Sequence, residues 1–447
     1  KIALYQGDDA RRAADFRAGV PLSDIEDDIA RGLVRTFLFR YRNAVRTPQD
    51  TLRQYNLMRA DCMRAWNEAR AAQDYRIFMP WLDRAFALKA EIARAIDPDA
   101  PVFDTLVGMT DEGLSVAEVS AQFDKLKAGI GALLAKLSKA RAPEAAPIPD
   151  SDPDQMAAFA QRLARELGYR PERGGFNDRG VHGITSIMGP RDARVSTYRS
   201  GSYNLIFTCL HEAGHAMYSS SSSQPVIDAG LWGGIEGGFH EASARFFENM
   251  IGHSLAYWQF YYPQLQQEIP LFRGIPLDQF YALTHRVQPT LRRISSDEVT
   301  YSLHAILRFE LERDYFAGLL TAGDMAEAWN DKYESYLGIR PQNDTEGVLQ
   351  DMHWAGDYIG YFQSYALGNI YDGQILAAMQ RDLPDLPARL ARGDAGCAAA
   401  WMEEHIWQYG CCYTAGEMVR RLTGGGLDAQ PFLDYLDQTY SAVYGLA

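Results

Sequence analysis

A mainly α-helical protein is what three features of this 447-residue sequence predict. Alanine, leucine, arginine and glutamate, all good helix formers, dominate its long stretches. Apolar residues there recur at the three-and-four spacing of a buried helical stripe. Strand-like alternation with β-branched residues is confined to 193–198.

Composition narrows the class. Hydrophobic residues at 47% and charged residues at 23% suit a globular chain with a sizeable core. The net charge of −14 argues against nucleic acid as a partner, because phosphate binding needs concentrated Lys and Arg. No run approaches the roughly 18 apolar residues of a membrane span, so no membrane partner is expected. The five scattered cysteines (Cys62, Cys209, Cys397, Cys411, Cys412) fit reduced thiols and a cytoplasmic location better than a Cys411–Cys412 disulfide. The first residue is Lys1 rather than Met, which leaves room for an upstream segment such as a removed signal peptide.

Taken in order, 1–140 reads as an N-terminal helical lobe. Ile25, Ile29, Leu33, Val34, Phe37 and Leu38 mark one amphipathic stretch, and 55–72, 77–96 and 116–137 mark three more. Sustained heptads are lacking, so a coiled coil is not expected. Pro143, Pro147, Pro149 and Pro153 make 141–153 a connector, since proline fixes φ and removes donors. The remainder, 154–447, reads as a catalytic helical region within one integrated domain. It opens with a helix at 155–167 and a glycine-rich, irregular stretch at 168–190 containing His182. The strand at 193–198 follows and runs into the next helix. It is a candidate edge for pairing with an extended substrate. Ser219 to Ser223 reads as a mobile loop. Helices are then expected at 255–262, 277–287, 296–319, 324–336, 365–381, 397–408, 415–422 and 432–443.

The chemistry concentrates in His211-Glu212-Ala213-Gly214-His215. Residues four apart share one helix face, so both imidazoles can reach one metal ion while Glu212 projects beside them. Leu205, Ile206, Cys209, Leu210, Ala213, Ala216 and Met217 supply the apolar stripe of that helix. Gly214 weakens a helix unless something packs closely against it. A hydrolytic zinc site takes three protein ligands and keeps one position open. A second helical pattern, from Phe239 to Met250, supplies Glu241 near its start, with 25 residues (216–240) between it and His215. Glu236 is a rival, but glycines flank it. Next to two ligands, Glu212 suits a general base better than a surface charge. His240 suits orientation of the site rather than ligation. The expected cofactor is one divalent metal, zinc before cobalt or manganese.

These residues and others along most of the chain resemble the carboxypeptidase Taq type of metallocarboxypeptidase, metallopeptidase family thirty-two. That family follows its H-E-x-x-H helix with an H-E-S-Q helix whose glutamate is the third ligand. Here the second motif reads His240-Glu241-Ala242-Ser243, with Glu248-Asn249 after it. An arginine four residues before an aspartate, then E-x-T-Y, occurs as Arg293 to Tyr301. G-x-x-Q-D-x-H-W occurs as Gly347 to Trp354, and Gly360 to Asn369 is also family-like. Near the N-terminus, Ala65 to Arg70 and Asp74 to Leu82 match as well.

The resemblance implies a helical HExxH metallopeptidase with a deep central groove, a small β element beside the metal helix, and a homodimer. The implied activity is removal of single residues from peptide C-termini. Arg293 matches the arginine that holds the substrate carboxylate, and Tyr365 a tyrosine assisting it or the oxyanion. An arginine pairs a carboxylate bidentately, which an exopeptidase needs. The plainer readings are an Arg293–Asp297 helix pair, a packed Tyr365, and a His353 paired with Asp351. Otherwise His353 and Trp354 would line the substrate groove. Four departures touch that end of the site. His182-Gly183-Ile184 stands for H-P-F, Ser196 for the threonine of D-x-R-x-T, the glutamine of H-E-S-Q is missing, and the serine run replaces the usual loop. The expected function is metal-dependent carboxypeptidase. The same machinery acting on another amide, an oligopeptide or a small N-acyl amino acid, is the alternative.

Overall fold

The computed structural model describes residues 7–19, 21–143, 145 and 147–446. Helices make up 65% of the structure, and the sheet among the described residues has three short strands. The mainly α expectation therefore holds. Contacts divide the chain into two compact units built from non-consecutive pieces, Lys1–Lys127 with Val287–Ala366 and Ala128–Arg286 with Leu367–Ala447. The chain-order reading divided the sequence at 141–153, because proline content reports where helices stop and not which helices pack together. That stretch is non-helical up to Asp152, and Glu144 and Ala146 within it lie outside the described residues.

The first unit is organised around the helix Glu298–Phe316. Asp297 caps it, accepting from the Thr300 main-chain N–H at 2.9 Å and from the Thr300 hydroxyl at 2.9 Å. Every side chain from Val299 to Glu312 is buried, the mark of a helix enclosed on all sides. Phe309 and Phe316 meet Phe103 at ring separations of 5.3 and 5.7 Å, and Phe86 joins at 5.2 Å from Phe316. Several of the polar groups inside are paired. Arg308 donates to Asp351 and to the His304 carbonyl, and Glu312 accepts from Trp354 Nε1 at 2.6 Å and from the Gly360 N–H at 2.9 Å. Trp354 is thus a core residue of this unit and not a wall of a substrate site.

In the second unit, Asp152 caps Pro153–Leu167 through the N–H groups of Asp154 and Gln155. Met156, Phe159, Leu163 and Leu167 are buried on that helix. Three strands follow: β1 (Gly174–Asn177), β2 (Ile184–Gly189) and β3 (Asp192–Ser196). The sheet order is β1-β3-β2, with β3 parallel to β1 and antiparallel to β2. The expected strand at 193–198 is therefore the middle one, not an edge, and the stretch expected to be irregular supplies both edges. Glycine hid them. A Cβ at Gly174 would lie 2.1 Å from the Ala193 carbonyl oxygen, so glycine there permits the pairing.

The helix Asn204–Ser220 packs against Pro153–Leu167 and the sheet. The serine run is not a mobile loop. Ser219 and Ser220 complete the helix, and Ser219 to Ser222 are buried. Their hydroxyls bond back to the carbonyls of His215 and Ala216, both at 2.8 Å, which satisfies them without leaving the helix. Arg173 and Arg191 donate to the Ser220 carbonyl at the helix end, where positive charge suits the dipole.

Buried histidines make stability depend on acidity. His285 in the second unit is 1% exposed, and burial, with His253 nearby, pushes it down to about 3. His304 in the first unit is 0% exposed, and burial with Arg308 and Arg293 also pushes it far down. Below about pH 6.5 the unfolded chain takes up protons that these folded sites refuse, so stability falls as pH falls. Unfolding midpoints in urea should drop between pH 6.5 and 5, at about 1.4 kcal/mol per pH unit for each such group. His285→Phe should flatten that slope, and an equal slope in the variant would contradict the assignment.

Candidate metal centre

His211, His215 and Glu241 each bring one ligand atom into a cluster whose members lie within 4.8 Å of one another. The two histidines come from Asn204–Ser220, whose apolar faces are buried as the stripe predicts. Glu241 comes from the first turn of Gly238–Arg245. The rival Glu236 is exposed and stands outside the cluster.

Close approach of these two helices is what assembles the ligands. A Cβ at Gly214 would sit 2.6 Å from the Ser243 carbonyl oxygen and 2.7 Å from Ala244 Cα, both main-chain atoms that cannot yield cheaply. Glycine between the histidines is thereby explained. Gly368, on Phe362–Asp382, serves Glu241 in the same way, since a Cβ there would come 3.0 Å from Glu241 Cγ.

Each ligand is held from behind. His211 Nδ1 lies 2.8 Å from Glu248 Oε2, which leaves its Nε2 to the cluster. His215 Nδ1 lies 2.8 Å from Nδ1 of His240, while its Nε2 is 3.6 Å from Glu241 Oε2. Arg245 reaches within 4.0 Å of Glu241 Oε1 and donates to Asn369 at 2.6 Å. Glu248 was not singled out from the sequence, although it stands seven residues after Glu241, two turns along the same face. A π-helical turn, Phe246–Ile251, begins just before it and shifts that register, a device common at functional sites.

Three carboxylates, Glu212, Glu241 and Glu248, lie near His211 and favour its protonated form. Burial alone would depress His211, yet the hydrogen bond it donates to Glu248 and the three negative charges raise it to about 9. Burial, with His211 and His240 beside it, holds His215 well below its usual value, so its ring is neutral with a lone pair to offer. Burial raises Glu212, against the opposing effect of His211 and Thr185. Two imidazole nitrogens, one carboxylate oxygen and surplus negative charge are the donor set and field that a divalent cation such as zinc satisfies.

Glu212 itself is 7% exposed. The Thr185 hydroxyl on β2 lies 2.8 Å from both Glu212 Oε2 and the Glu212 carbonyl. A cavity of about 290 Å³ opens here, lined by Gly183, Ile184, Thr185, Ile187, Glu212, His215 and His240. Gly183 keeps it open, because a Cβ would fall 2.8 Å from Glu212 Oε1. The main sequence signal for Thr185, alternation in β2, was obscured by glycine.

The other residues singled out from the sequence gather in the first unit. Arg293 is 8% exposed, donates to the Tyr301 hydroxyl at 3.0 Å and to Asp351 at 3.4 Å, and stacks on the Tyr365 ring at 4.5 Å. The alternative Arg293–Asp297 pair is not formed, as Asp297 is occupied by the helix cap and by the Gln288 N–H. His353 Nε2 meets the Tyr365 hydroxyl at 3.0 Å, whereas its Nδ1 is 3.6 Å from Asp351, too far for a hydrogen bond. Burial first, with the two arginines adding to it, lowers His353 to about 4 against the pull of Asp351. Arg293 also lines a cavity of about 320 Å³ that includes Arg70, Arg292 and Asp351.

The chain is similar to known proteins along most of its length. Residues 9–440 match the family model described as carboxypeptidase Taq (M32) metallopeptidase. The chain is 34% identical over 438 residues to thermostable carboxypeptidase 1 of Thermus thermophilus, covering 95% of this chain and 85% of that protein. It is 32% identical over 409 residues to carboxypeptidase 1 of Bacillus subtilis, covering 90% and 81%. Among solved structures, the M32 carboxypeptidase from Deinococcus radiodurans superposes with a TM-score of 0.93 at 31% identity, covering 99% of this chain and 90% of that one.

Gly214→Ala should separate the ligand helices. Overpacking of this kind costs about 1–3 kcal/mol, so both melting temperature and bound zinc per chain should fall. Zinc content should likewise be lost in Glu241→Ala and kept in Glu236→Ala; the reverse pattern would move the third ligand to Glu236.

Proposed function

The chain belongs to the carboxypeptidase Taq (M32) family of metallopeptidases, and from that premise we propose how its own residues divide the work of metal-dependent carboxypeptidase chemistry. The observation that carries the proposal is the cluster of His211, His215 and Glu241 with Glu212 on the wall of the same cavity. The two histidines and Glu241 hold one divalent cation, zinc by the donor set. A cation held there supplies Lewis acidity to a substrate carbonyl and to a water.

Glu212 is the general base. Its carboxylate takes the proton of the attacking water and later delivers it to the leaving amine. Burial raises its pKa above the ordinary glutamate value, which makes it a readier proton acceptor. Thr185 can follow either state. Its one hydroxyl proton serves Oε2 while Glu212 is charged and turns to the Glu212 carbonyl when Glu212 carries the proton.

Arg293 pairs with the free C-terminal carboxylate of the peptide, and Tyr365 supports it by ring stacking and by its hydroxyl, which His353 positions. Burial and the Asp351 contact hold the guanidinium in one orientation, which suits a bidentate partner. The protein works as a homodimer in the cytoplasm on peptides, without nucleic acid or membrane. Reduced cysteines and the negative net charge support that setting. No helix among the described residues is long and apolar enough to cross a membrane.

Mass detection of products separates this reading from hydrolysis of another amide. Peptides with free C-termini should lose single residues, and C-terminal amides should resist; equal cleavage of both would shift the assignment to an oligopeptidase. Glu212→Gln should retain zinc and lose about a hundred- to ten-thousand-fold in kcat, an outcome that full activity in the variant would refute. Arg293→Lys keeps the charge but not the fork. It should lower kcat/KM about tenfold to a hundredfold.

A further inference from the structure

Ser219 lies one helical turn beyond His215 and is 0% exposed. Its Oγ is 2.8 Å from the His215 carbonyl oxygen and 3.1 Å from Nε2 of His240. His240 in turn presents Nδ1 to Nδ1 of His215 at 2.8 Å. These three contacts form a closed circuit that leaves His215 at one atom and returns to it at another.

Proton inventory gives the circuit a direction. A serine hydroxyl has one proton to donate, and a carbonyl oxygen has none. Ser219 therefore donates to the His215 carbonyl, the acceptor at 2.8 Å in good back-bonding position. The remaining Oγ lone pair faces His240 Nε2, so that nitrogen carries the proton. A neutral imidazole has a single N–H, which leaves His240 Nδ1 bare and makes it an acceptor for the Nδ1–H of His215. The His215 Nε2 lone pair is then free, on the side where Glu241 Oε2 stands at 3.6 Å.

Reversing the circuit has the opposite consequence. If Ser219 donated to His240 Nε2, the proton of His240 would sit on Nδ1 and point at His215 Nδ1. His215 would then carry its own proton on Nε2, aimed into the ligand cluster. The nearer carbonyl acceptor beside Ser219, at 2.8 Å against 3.1 Å, favours the first arrangement.

We propose that Ser219 is a positioning residue: through His240 it sets the tautomer of His215 and so the affinity of the site for its cation. The proposal rests on the reading of His215 as a metal ligand. It also gives the serine run a role. Loss of such an outer partner typically weakens metal affinity about 10–100-fold.

The test uses the full chain as wild type, Ser219→Ala and Ser219→Thr, with zinc affinity measured by competition against a chelator. Ser219→Ala should bind zinc about 10–100-fold more weakly, and Ser219→Thr, which restores the hydroxyl, should recover to within a few-fold. Nitrogen-15 histidine spectra of the metal-free proteins read the tautomers directly. Wild type should show His240 protonated at Nε2 and His215 at Nδ1, a pattern that Ser219→Ala should lose. Melting temperatures of the metal-free proteins control for structural damage. Equal zinc affinity and unchanged tautomers in Ser219→Ala would overturn the proposal, as would matching losses of affinity and melting temperature in both variants. If wild type bound no zinc, the metallopeptidase reading itself would fall and take the proposal with it. Zinc bound equally by wild type and Ser219→Ala would sink the proposal alone.

Discussion

Close contact between two helices is the constraint from which the metal site follows. Asn204–Ser220 carries two ligands and Gly238–Arg245 the third, and neither helix can make a site alone. They meet where Gly214 lies against the main chain of Ser243 and Ala244, at distances that leave no room for a methyl group. A glycine in mid-helix costs roughly 1 kcal/mol of helix propensity relative to alanine. That cost is offset because the approach brings Nε2 of His215 within 3.6 Å of Glu241. Local weakness here is the condition for tertiary precision. Gly368 repeats the device on the far side of Glu241, so the third ligand is placed between two backbones that carry glycine for its sake.

What the sequence made legible follows the strength of its periodic signals. Long amphipathic or fully buried helices have many residues voting for one structure, and 116–137 was delimited at both ends as Val116–Leu137. The motif spacing around His211 and His215 specifies a helix face directly, and with Glu241 read from the next helical pattern it names the three residues that converge in space. Short elements carry few votes. Val102–Thr110 and the edge strands β1 and β2 passed unrecognised, the strands because glycine in and around them masks alternation. The serine run misled for a different reason. Serine favours loops when its hydroxyl competes with the helix ladder, but here four residues back stands a carbonyl that accepts it. That outcome depends on burial, which composition does not report.

Of the residues behind the histidines, His240 is read from the sequence as an orienting residue and Glu248 is given no role there, and the two distinguish the histidines. His211 leans on a carboxylate, Glu248, which burial would raise but which His211 lowers to about 2. An anionic acceptor draws the imidazole N–H outward and makes the opposite nitrogen a stronger donor to metal. His215 leans on a neutral imidazole, which cannot do this to the same degree. With three carboxylates already near the cluster, a fourth behind His215 would add negative charge to a buried site and lower the Lewis acidity left to the cation. A neutral partner keeps His215 oriented while limiting that charge.

The two centres of chemistry are each wired internally. The ligands, their outer partners, Glu212 and Thr185 all belong to the unit formed by Ala128–Arg286 and Leu367–Ala447. Arg293, its partners Asp351 and Tyr301, and the Tyr365–His353 pair all belong to the other. Substitutions that disturb the orientation of Arg293 act through Asp351, Tyr301 or Tyr365. The departures seen at His182-Gly183-Ile184 and in the serine run fall in the metal-bearing unit. They bear first on the wall of the Glu212 cavity and the support of His215, and they leave the arginine cluster as its own residues make it.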